Sequence, residues 1–393
     1  MLSQITLKNF KCFNSLALPL APLTMLTGFN AAGKSTTLQG ILLLSQALRT
    51  GVRSAELPLN GPLATLGTPG EVLNSGRGDV ILGIDDEKTG IEWAMRAEDR
   101  AKGIAMQIIK ITIRNKDGKT EYENEALKRL ERLLPLGIDI DKDASQLIEQ
   151  LHETIFLSAV RIGTADVFPS PEDPSPVNAD VGIQGEFAPW WFQRMIDQDI
   201  KDVSRRHPSE EALTLRRQFN AWASQLFPGA QGNSIAIEKT NLVRLELRIG
   251  DIGDYRRPSN IGYGLTYAFP VIVAGLLAEK GQILIIDSPE AHLHPLGQSQ
   301  MGRFLAKVAD SGVQVLIETH SDHVLNGIRL AIRDQVITPG KVAVHFFNHA
   351  GQTKENVAPV ISPLIDKSGN LSEWPVGFFD QAEKDLARLA GWD

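Results

Sequence analysis

The chain has 393 residues, 42% hydrophobic and 22% charged, enough apolar mass for two or three domains. Its formal net charge of −7 excludes a global basic field for nucleic acid, and its one cysteine, Cys12, excludes an intrachain disulfide or a cysteine-built zinc site, which fits a reducing cytosol. No run of 18 apolar residues occurs, and the opening Met-Leu-Ser-Gln-Ile-Thr-Leu-Lys lacks the basic and apolar regions of a signal peptide, so a cytoplasmic chain without a membrane segment is expected.

Apolar residues Ile5, Leu7 and Phe10 alternate with polar ones, which predicts a strand over 5–13. A second apolar stretch covers 16–20, and 23–27 reads as a short buried strand. Then comes Gly28-Phe29-Asn30-Ala31-Ala32-Gly33-Lys34-Ser35, which fits GxxxxGK[ST] at every fixed position. Gly28 and Gly33 permit backbone conformations closed to other residues. The backbone N–H groups of Asn30, Ala31, Ala32 and Gly33 can then converge on phosphate oxygens at a helix start. Lys34 would place its charge on the β- and γ-phosphates, Ser35 would offer a hydroxyl to magnesium, and Thr36 continues the cradle. Residues 36–48 read as a mostly buried helix. Strand, loop and helix together make this a Walker A motif for ATP and Mg2+. Two strands ahead of it, the first ending in Asn-Phe-Lys-Cys-Phe, resemble the opening of ABC, SMC and RecF-type ATPases, which implies an antiparallel lobe over the nucleotide.

From 50 to 117 Gly and Pro are frequent, and β-like runs occur at 80–84, 90–95 and 106–113, with a hairpin turn at 116–119. Residues 121–134 place Leu127, Leu130, Leu133 and Leu134 at helical spacing, predicting an amphipathic helix. A second helix is expected at 144–154, then a buried strand over 155–161 whose end carries Ser158 and Arg161. The Pro- and Asp-rich 168–188 reads as a loop. A Trp-bearing helical region from 187 to 226 contains Lys201, Arg205, Arg206, His207, Arg216 and Arg217 among acidic residues, which favours a solvated face over nucleic-acid contact. Strand-like alternation resumes at 235–238 and 242–249.

Residues 281–287, Gly-Gln-Ile-Leu-Ile-Ile-Asp, read as the strongest strand in the chain, a Walker B strand delivering the Asp287 carboxylate at its C-terminal end, where α/β folds bind ligands. Asp287 would hold the magnesium with Ser35. Ser288-Pro289-Glu290-Ala291-His292-Leu293-His294-Pro295 follows. With the Walker A motif it resembles the Glu-Pro-Glu-x-His-Leu-His-Pro element of SMC/RecF-like and AAA-type ATPases, a group that includes the overcoming-lysogenisation-defect and several phage-defence ATPases. In the ABC pattern a catalytic Glu follows the Asp directly. Here that place holds Ser288, so Glu290 is expected to orient and deprotonate the attacking water. His292 and His294 lack a third nearby ligand, and the resemblance implies a dimer-facing loop rather than zinc. A further buried strand over 313–320 has a polar end in His320, at the place of the family's switch histidine, whose imidazole would bind the γ-phosphate, with Ser321 and Asp322 as its usual companions.

Before the Walker B strand, Ser259, Asn260, Gly262 and Gly264 stand where ABC ATPases carry the signature loop, which implies binding of the γ-phosphate on the opposite subunit and a head-to-tail homodimer around two ATP molecules. After a strand at 342–347, the ending Trp374-Pro375-Val376-Gly377-Phe378-Phe379-Asp380 resembles an uncharacterised C-terminal domain found on such ATPases. The expectation is an α/β P-loop NTPase of ABC/SMC type with a mixed core sheet, an antiparallel lobe and a mainly helical insertion: an N-terminal ATPase lobe at 1–119, the insertion at 120–230, a C-terminal ATPase lobe at 231–345 and a tail at 346–393. The resemblance implies ATP hydrolysis that gates or drives a partner, such as a co-encoded nuclease or effector, in antiphage defence or a DNA-associated process. The alternative is an ATP-locked scaffold or sensor with little turnover. A built-in Toprim nuclease is not expected, because no Glu followed by an Asp-x-Asp cluster comes after His320.

Overall fold

The computed structural model describes the chain except residues 52–54, 75–77, 138–141, 173–178, 251–252, 349–358, 376 and 392–393, and the side chains of 381–383. The chain divides into two compact units. The first is built mainly from Met1–Ala21 and Asn30–Thr154, the second from Pro22–Phe29, Ile155–Asn348 and the chain from Val360 onward. Residues 120–230, expected as one insertion, are thus shared between the units, with the division after Thr154.

The first unit is organised by an antiparallel sheet in the order Phe13–Pro19, Gln4–Phe10, Val80–Asp85, Gly90–Arg96 and Ala105–Asn115. Glu56–Pro58 and Gly118–Glu123 both pair with the last of these. The predicted strand over 5–13 is broken by a turn. Asn9 and Lys11 take positive φ values of 53° and 49°, and Phe10 pairs back onto Phe13. Alternation continues through Phe13 because both arms of the hairpin bury the same face, so the pattern hides the reversal. The helix Lys34–Arg49 lies close to this sheet, since a Cβ on Gly40 would stand 2.7 Å from Leu7 Cδ2.

The amphipathic helix expected over 121–134 does not form. Gly118–Glu123 completes the hairpin, Asn124–Leu127 is one 3-10 turn, and Leu130–Glu131 pairs with Leu134–Pro135. Leu127, Leu130, Leu133 and Leu134 are all buried nonetheless. Arg132 and Leu133 at φ 50° and 60° reverse the chain, and the Leu133 carbonyl accepts a 2.9 Å hydrogen bond from the buried indole of Trp93. Tertiary burial, rather than helical period, accounts for the leucine spacing. The expected helix at 144–154 is present as Lys142–His152.

The second unit holds a six-stranded sheet in the order Ile155–Leu157, Ile283–Asp287, Gln314–Glu318, Leu23–Gly28, Val342–Phe347 and Val360–Ile361. Its pairings are parallel except the last. Ile283 to Ile286 and Val315 to Ile317 are buried, as central parallel strands require. A small antiparallel sheet, Val167–Pro169 with Leu242–Arg248 and Gln231–Ala236, lies in the same unit. The helix Tyr263–Leu277 is apolar all round and buried along most of its length. The helices Pro295–Asp310 and Asp322–Arg333 approach through two glycines. A Cβ on Gly302 would lie 2.3 Å from the Val324 carbonyl oxygen, and one on Gly327 2.0 Å from that of Ser299.

The helical region expected over 187–226 resolves into Ala188–Met195, a 3-10 turn at Val203–Arg205 and Leu215–Leu226. Two members of its basic cluster depart from the expected solvated face. Arg205 is 1% exposed and His207 5%. Arg205 Nε donates to Ser311 Oγ at 2.7 Å, and Nη1 donates to the carbonyls of Gly275, Leu276 and Ala278, closing the C-terminal end of the helix Tyr263–Leu277. Burial lowers this guanidinium's pKa to about 10, with Asp202 opposing the shift. Arg205 and His207 thus serve the packing of the second unit, which the charge pattern alone did not reveal.

Candidate nucleotide site

The strand Leu23–Gly28 ends where the phosphate loop begins. Gly28 has φ 122°, and a Cβ there would stand 2.3 Å from the carbonyl oxygen of Phe347, so only glycine fits. Phe29 N–H donates to that same oxygen at 3.0 Å, and the Phe29 ring meets Phe346 edge-on at 5.6 Å. These residues belong to the second unit; Asn30 onward belongs to the first. Ala31 takes φ 58° and Gly33 φ 109°, and the helix Lys34–Arg49 starts immediately after Gly33. This helix start carries no side-chain cap and no acidic residue in its first turn. A terminus built this way suits an anion, because its N–H groups and dipole favour negative charge. Lys34 is 3% exposed, whereas Asn30, Ala31 and Ser35 are exposed. Gly33 is also required sterically, since a Cβ would meet Phe13 Cζ at 2.3 Å and Cys12 Sγ at 2.9 Å.

In the second unit, Asp287 ends its buried strand half-buried, with Oδ1 accepting from Ser288 Oγ at 2.9 Å. Ser288 takes φ 52°, and its N–H donates to the Glu318 carbonyl at 2.8 Å. The chain turns sharply there and brings Glu290 back to the end of the neighbouring strand. Glu290 Oε1 accepts the backbone N–H of His320 at 3.0 Å, while Oε2 is buried and has no hydrogen-bond partner among the described residues. The two residues expected to work together, Glu290 and His320, are therefore neighbours, 30 positions apart in sequence. Ser321 caps the helix Asp322–Arg333 by accepting from Val324 N–H at 3.1 Å and also donates to Gln298 Oε1 at 2.5 Å.

The signature-like segment also lies in this unit. Pro258–Asn260 forms a 3-10 turn, and Ser259 Oγ donates to Asp166 Oδ1 at 3.4 Å. Gly262 at φ 98° precedes the helix Tyr263–Leu277, whose start again has no side-chain cap and no acidic residue in its first turn. Ser259, Asn260 and Gly262 are exposed. Gly264 allows a close approach, because a Cβ there would stand 2.9 Å from the His292 carbonyl oxygen. The His292 ring stacks on Tyr263 at 5.3 Å and meets Tyr267 edge-on at 4.5 Å. His294 precedes the helix Pro295–Asp310 as its N-cap, with Nδ1 facing Leu296 N–H at 3.4 Å.

One residue beside Asp287 was visible in the sequence only as the polar end of a strand. Arg161 is 4% exposed and donates Nη2 to the Asp287 carbonyl at 2.7 Å and to the Ser288 carbonyl at 3.1 Å. Burial lowers its pKa to about 10, opposed by the charges of Asp287 and Glu290. An arginine at the close of an aliphatic run was the available signal, and nothing local ties it to a residue 126 positions away.

Residues 23–326 match the family described as "AAA domain, putative AbiEii toxin, Type IV TA system", and residues 337–389 match a family described as a protein of unknown function, DUF3696. The chain is similar to the OLD nuclease of Thermus scotoductus, 24% identical over 346 residues that cover 82% of this chain and 59% of that protein. It is likewise similar to the Old nuclease of Escherichia phage P2, 24% identical over 367 residues, covering 85% and 59%. The chain thus spans 59% of the length of each of these relatives. Among solved structures it is similar to the Smc head domain with an extended coiled coil bound to the C-terminal domain of ScpA, from Pyrococcus furiosus, at TM-score 0.47 and 12% identity, covering 99% of each chain. Because the first of these matches takes in most of the chain, from the phosphate-loop strand past His320, the protein belongs to this AAA domain family.

Proposed function

We propose that this chain binds ATP with Mg2+, hydrolyses it, and dimerises head to tail around the nucleotide. The observation that carries the reading is the Glu290 carboxylate, held through one oxygen by His320 N–H while the other oxygen is buried without a hydrogen-bond partner. A carboxylate positioned this way, three residues past a Walker B aspartate, suits a base that takes a proton from water. Lys34 and the N–H groups of Asn30, Ala31, Ala32 and Gly33 would hold the phosphates, with Thr36 beside them. Ser35 and Asp287 would hold Mg2+, which when bound would neutralise the phosphate charge. His320 would contact the γ-phosphate. Ser259, Asn260, Gly262 and Gly264 would serve the nucleotide of the partner copy, supported by the exposed, uncapped helix start after Gly262.

Two relatives carry the name nuclease. We assign the nucleotide-driven part of such a system to this chain and propose that a nuclease or other effector acts with it in the cytoplasm, in antiphage defence or a DNA-associated process. A second reading, an ATP-locked scaffold with little turnover, is favoured by Ser288 in the place directly after Asp287, its hydroxyl engaged with the Asp287 carboxylate.

The test is ATP hydrolysis measured together with mass in solution, with and without ATP and Mg2+. The parent is expected to turn over ATP, and Glu290→Gln to lose at least about 100-fold in kcat and to accumulate as an ATP-bound dimer. A Glu290→Gln variant that hydrolyses ATP like the parent would remove Glu290 from this role. Binding and dimerisation of the parent without turnover would establish the scaffold.

A further inference from the structure

Three features of the second unit meet at Arg161. Its single Nη2 is shared by two consecutive carbonyls, those of Asp287 and Ser288. Its Nε and Nη1 are buried without a hydrogen-bond partner among the described residues. Its guanidinium carbon lies 5.8 Å from the centroid of the Tyr267 ring, which in turn meets the His292 ring edge-on at 4.5 Å. A guanidinium kept in a 4% exposed position with two donors unused is costly, and packing alone would be served better by an apolar side chain of similar size.

The position explains the expense. The turn that Arg161 holds is the one in which Ser288, at φ 52°, departs from the strand. The next residues, Pro289 and Glu290, return the chain so that Glu290 reaches His320 N–H. The same turn closes on itself through Ala291 N–H to the Ser288 carbonyl at 3.1 Å and Leu293 N–H to the Glu290 carbonyl at 3.0 Å. The direction of the Asp287 carboxylate and the placement of Glu290 therefore both depend on a backbone segment whose two leading carbonyls converge on one buried cation.

We infer that Arg161 is a positioning residue for ATP hydrolysis: it locks the Asp287–Ser288 turn and so sets the Asp287 carboxylate for Mg2+ and Glu290 for the attacking water, without touching nucleotide itself. This rests on the ATPase reading above and deepens it. The planar fork is what the task needs. One nitrogen grips two adjacent carbonyls while the face of the same group lies near Tyr267, and a lysine ammonium on its flexible stem cannot do both.

The experiment compares the parent with Arg161→Met and Arg161→Lys in the full chain. It reads thermal melting, stoichiometry of a fluorescent ATP analogue, kcat and KM for ATP, and the Mg2+ concentration giving half-maximal effect. Per binding-competent site, Arg161→Met is expected to lower kcat about 30-fold with KM changed less than about threefold, and to raise the Mg2+ requirement several-fold. Arg161→Lys keeps charge and approximate length and is expected to fold like the parent with an intermediate kcat, so it decides the matter if the methionine variant does not fold. A structural role alone would lower the melting temperature and the fraction of competent sites while leaving kcat and Mg2+ dependence per site at parental values, and that result would overturn the inference. If the parent binds ATP but does not turn it over, the Mg2+ dependence of binding becomes the readout, and an unchanged value in both variants overturns the inference. A parent that binds no ATP at all would overturn the phosphate-loop reading first and this inference with it.

Discussion

Single residues here are constrained by different forces, and burial separates them. Gly28 and Gly33 are held by sterics, because their positive φ angles and the atoms facing their missing Cβ leave no room for a side chain. Arg205 and Arg161 are held by hydrogen bonding, each closing carbonyls at the end of a buried element. His207 is held by desolvation. Its ring meets Trp222 edge-on at 4.8 Å, its Nδ1 lies 2.8 Å from Ser209 Oγ, and burial pushes its pKa below the ordinary histidine value, with Gln225 and Glu210 opposing. The sign for stability follows from linkage. A histidine whose folded pKa is depressed binds more protons when unfolded, so its contribution is fully present above its unfolded pKa of about 6.5 and is lost as pH falls through that value toward the folded one. Urea titrations of the parent should lose stability between about pH 7 and 5. His207→Gln should start lower at pH 7 but show a shallower loss over that range; an equal slope in both would assign the pH dependence to other groups.

At the scale of elements, periodicity succeeded where one element meets one surface and failed where several short pieces share a surface. The strands expected at 23–27, 281–287 and 342–347 are mainly apolar runs, and each forms within two residues of its expected bounds. Residues 121–134 carry equally good spacing of leucines, yet a strand end, a 3-10 turn and a small hairpin bury them. The helix pair Pro295–Asp310 and Asp322–Arg333 shows a constraint that the hydrophobic pattern does not express. Both helices present a glycine where the partner's backbone passes, and Gly327 faces the Ser299 carbonyl at 2.0 Å from its would-be Cβ. Gly327→Ala is accordingly expected to destabilise the protein by about 1–3 kcal/mol in urea unfolding, through separation of the helices rather than loss of a contact. An unchanged midpoint and slope would mean that the pair can slide apart at no cost.

At the scale of the molecule, the site-bearing segments divide between the two units, Pro22–Phe29 falling in the second and Asn30 onward in the first. Head-to-tail assembly, as proposed, makes each site a composite of two copies and gives a prediction that a site complete within one chain would fail. Lys34→Ala and Gly262→Glu should each abolish turnover alone. Mixed in equal amounts with exchange of subunits, half the dimers would carry one intact site out of two, recovering on the order of a quarter of parental turnover. No recovery after demonstrated exchange would show that the phosphate loop and the signature-like loop of opposite copies do not combine.

The sequence by itself determined the phosphate loop, the Asp287 strand and the order in which Glu290 and His320 follow. These are local statements, in which a few consecutive residue types dictate backbone conformation or burial. The contact between Glu290 and His320 N–H came from the structure, which brings the ends of two neighbouring parallel strands together. Only the tertiary structure decided that Arg161 grips the Walker B turn, that Arg205 closes a helix rather than lining a solvated face, and that the leucines of 121–134 are buried without a helix. The two arginines depend on groups brought together by chain folding, up to 127 positions apart for Arg161 and up to 106 for Arg205. The reason is physical: periodicity records which face of an element is buried, whereas the partner of a buried polar group is set by which distant carbonyls need a donor, and that need leaves no repeat in the sequence.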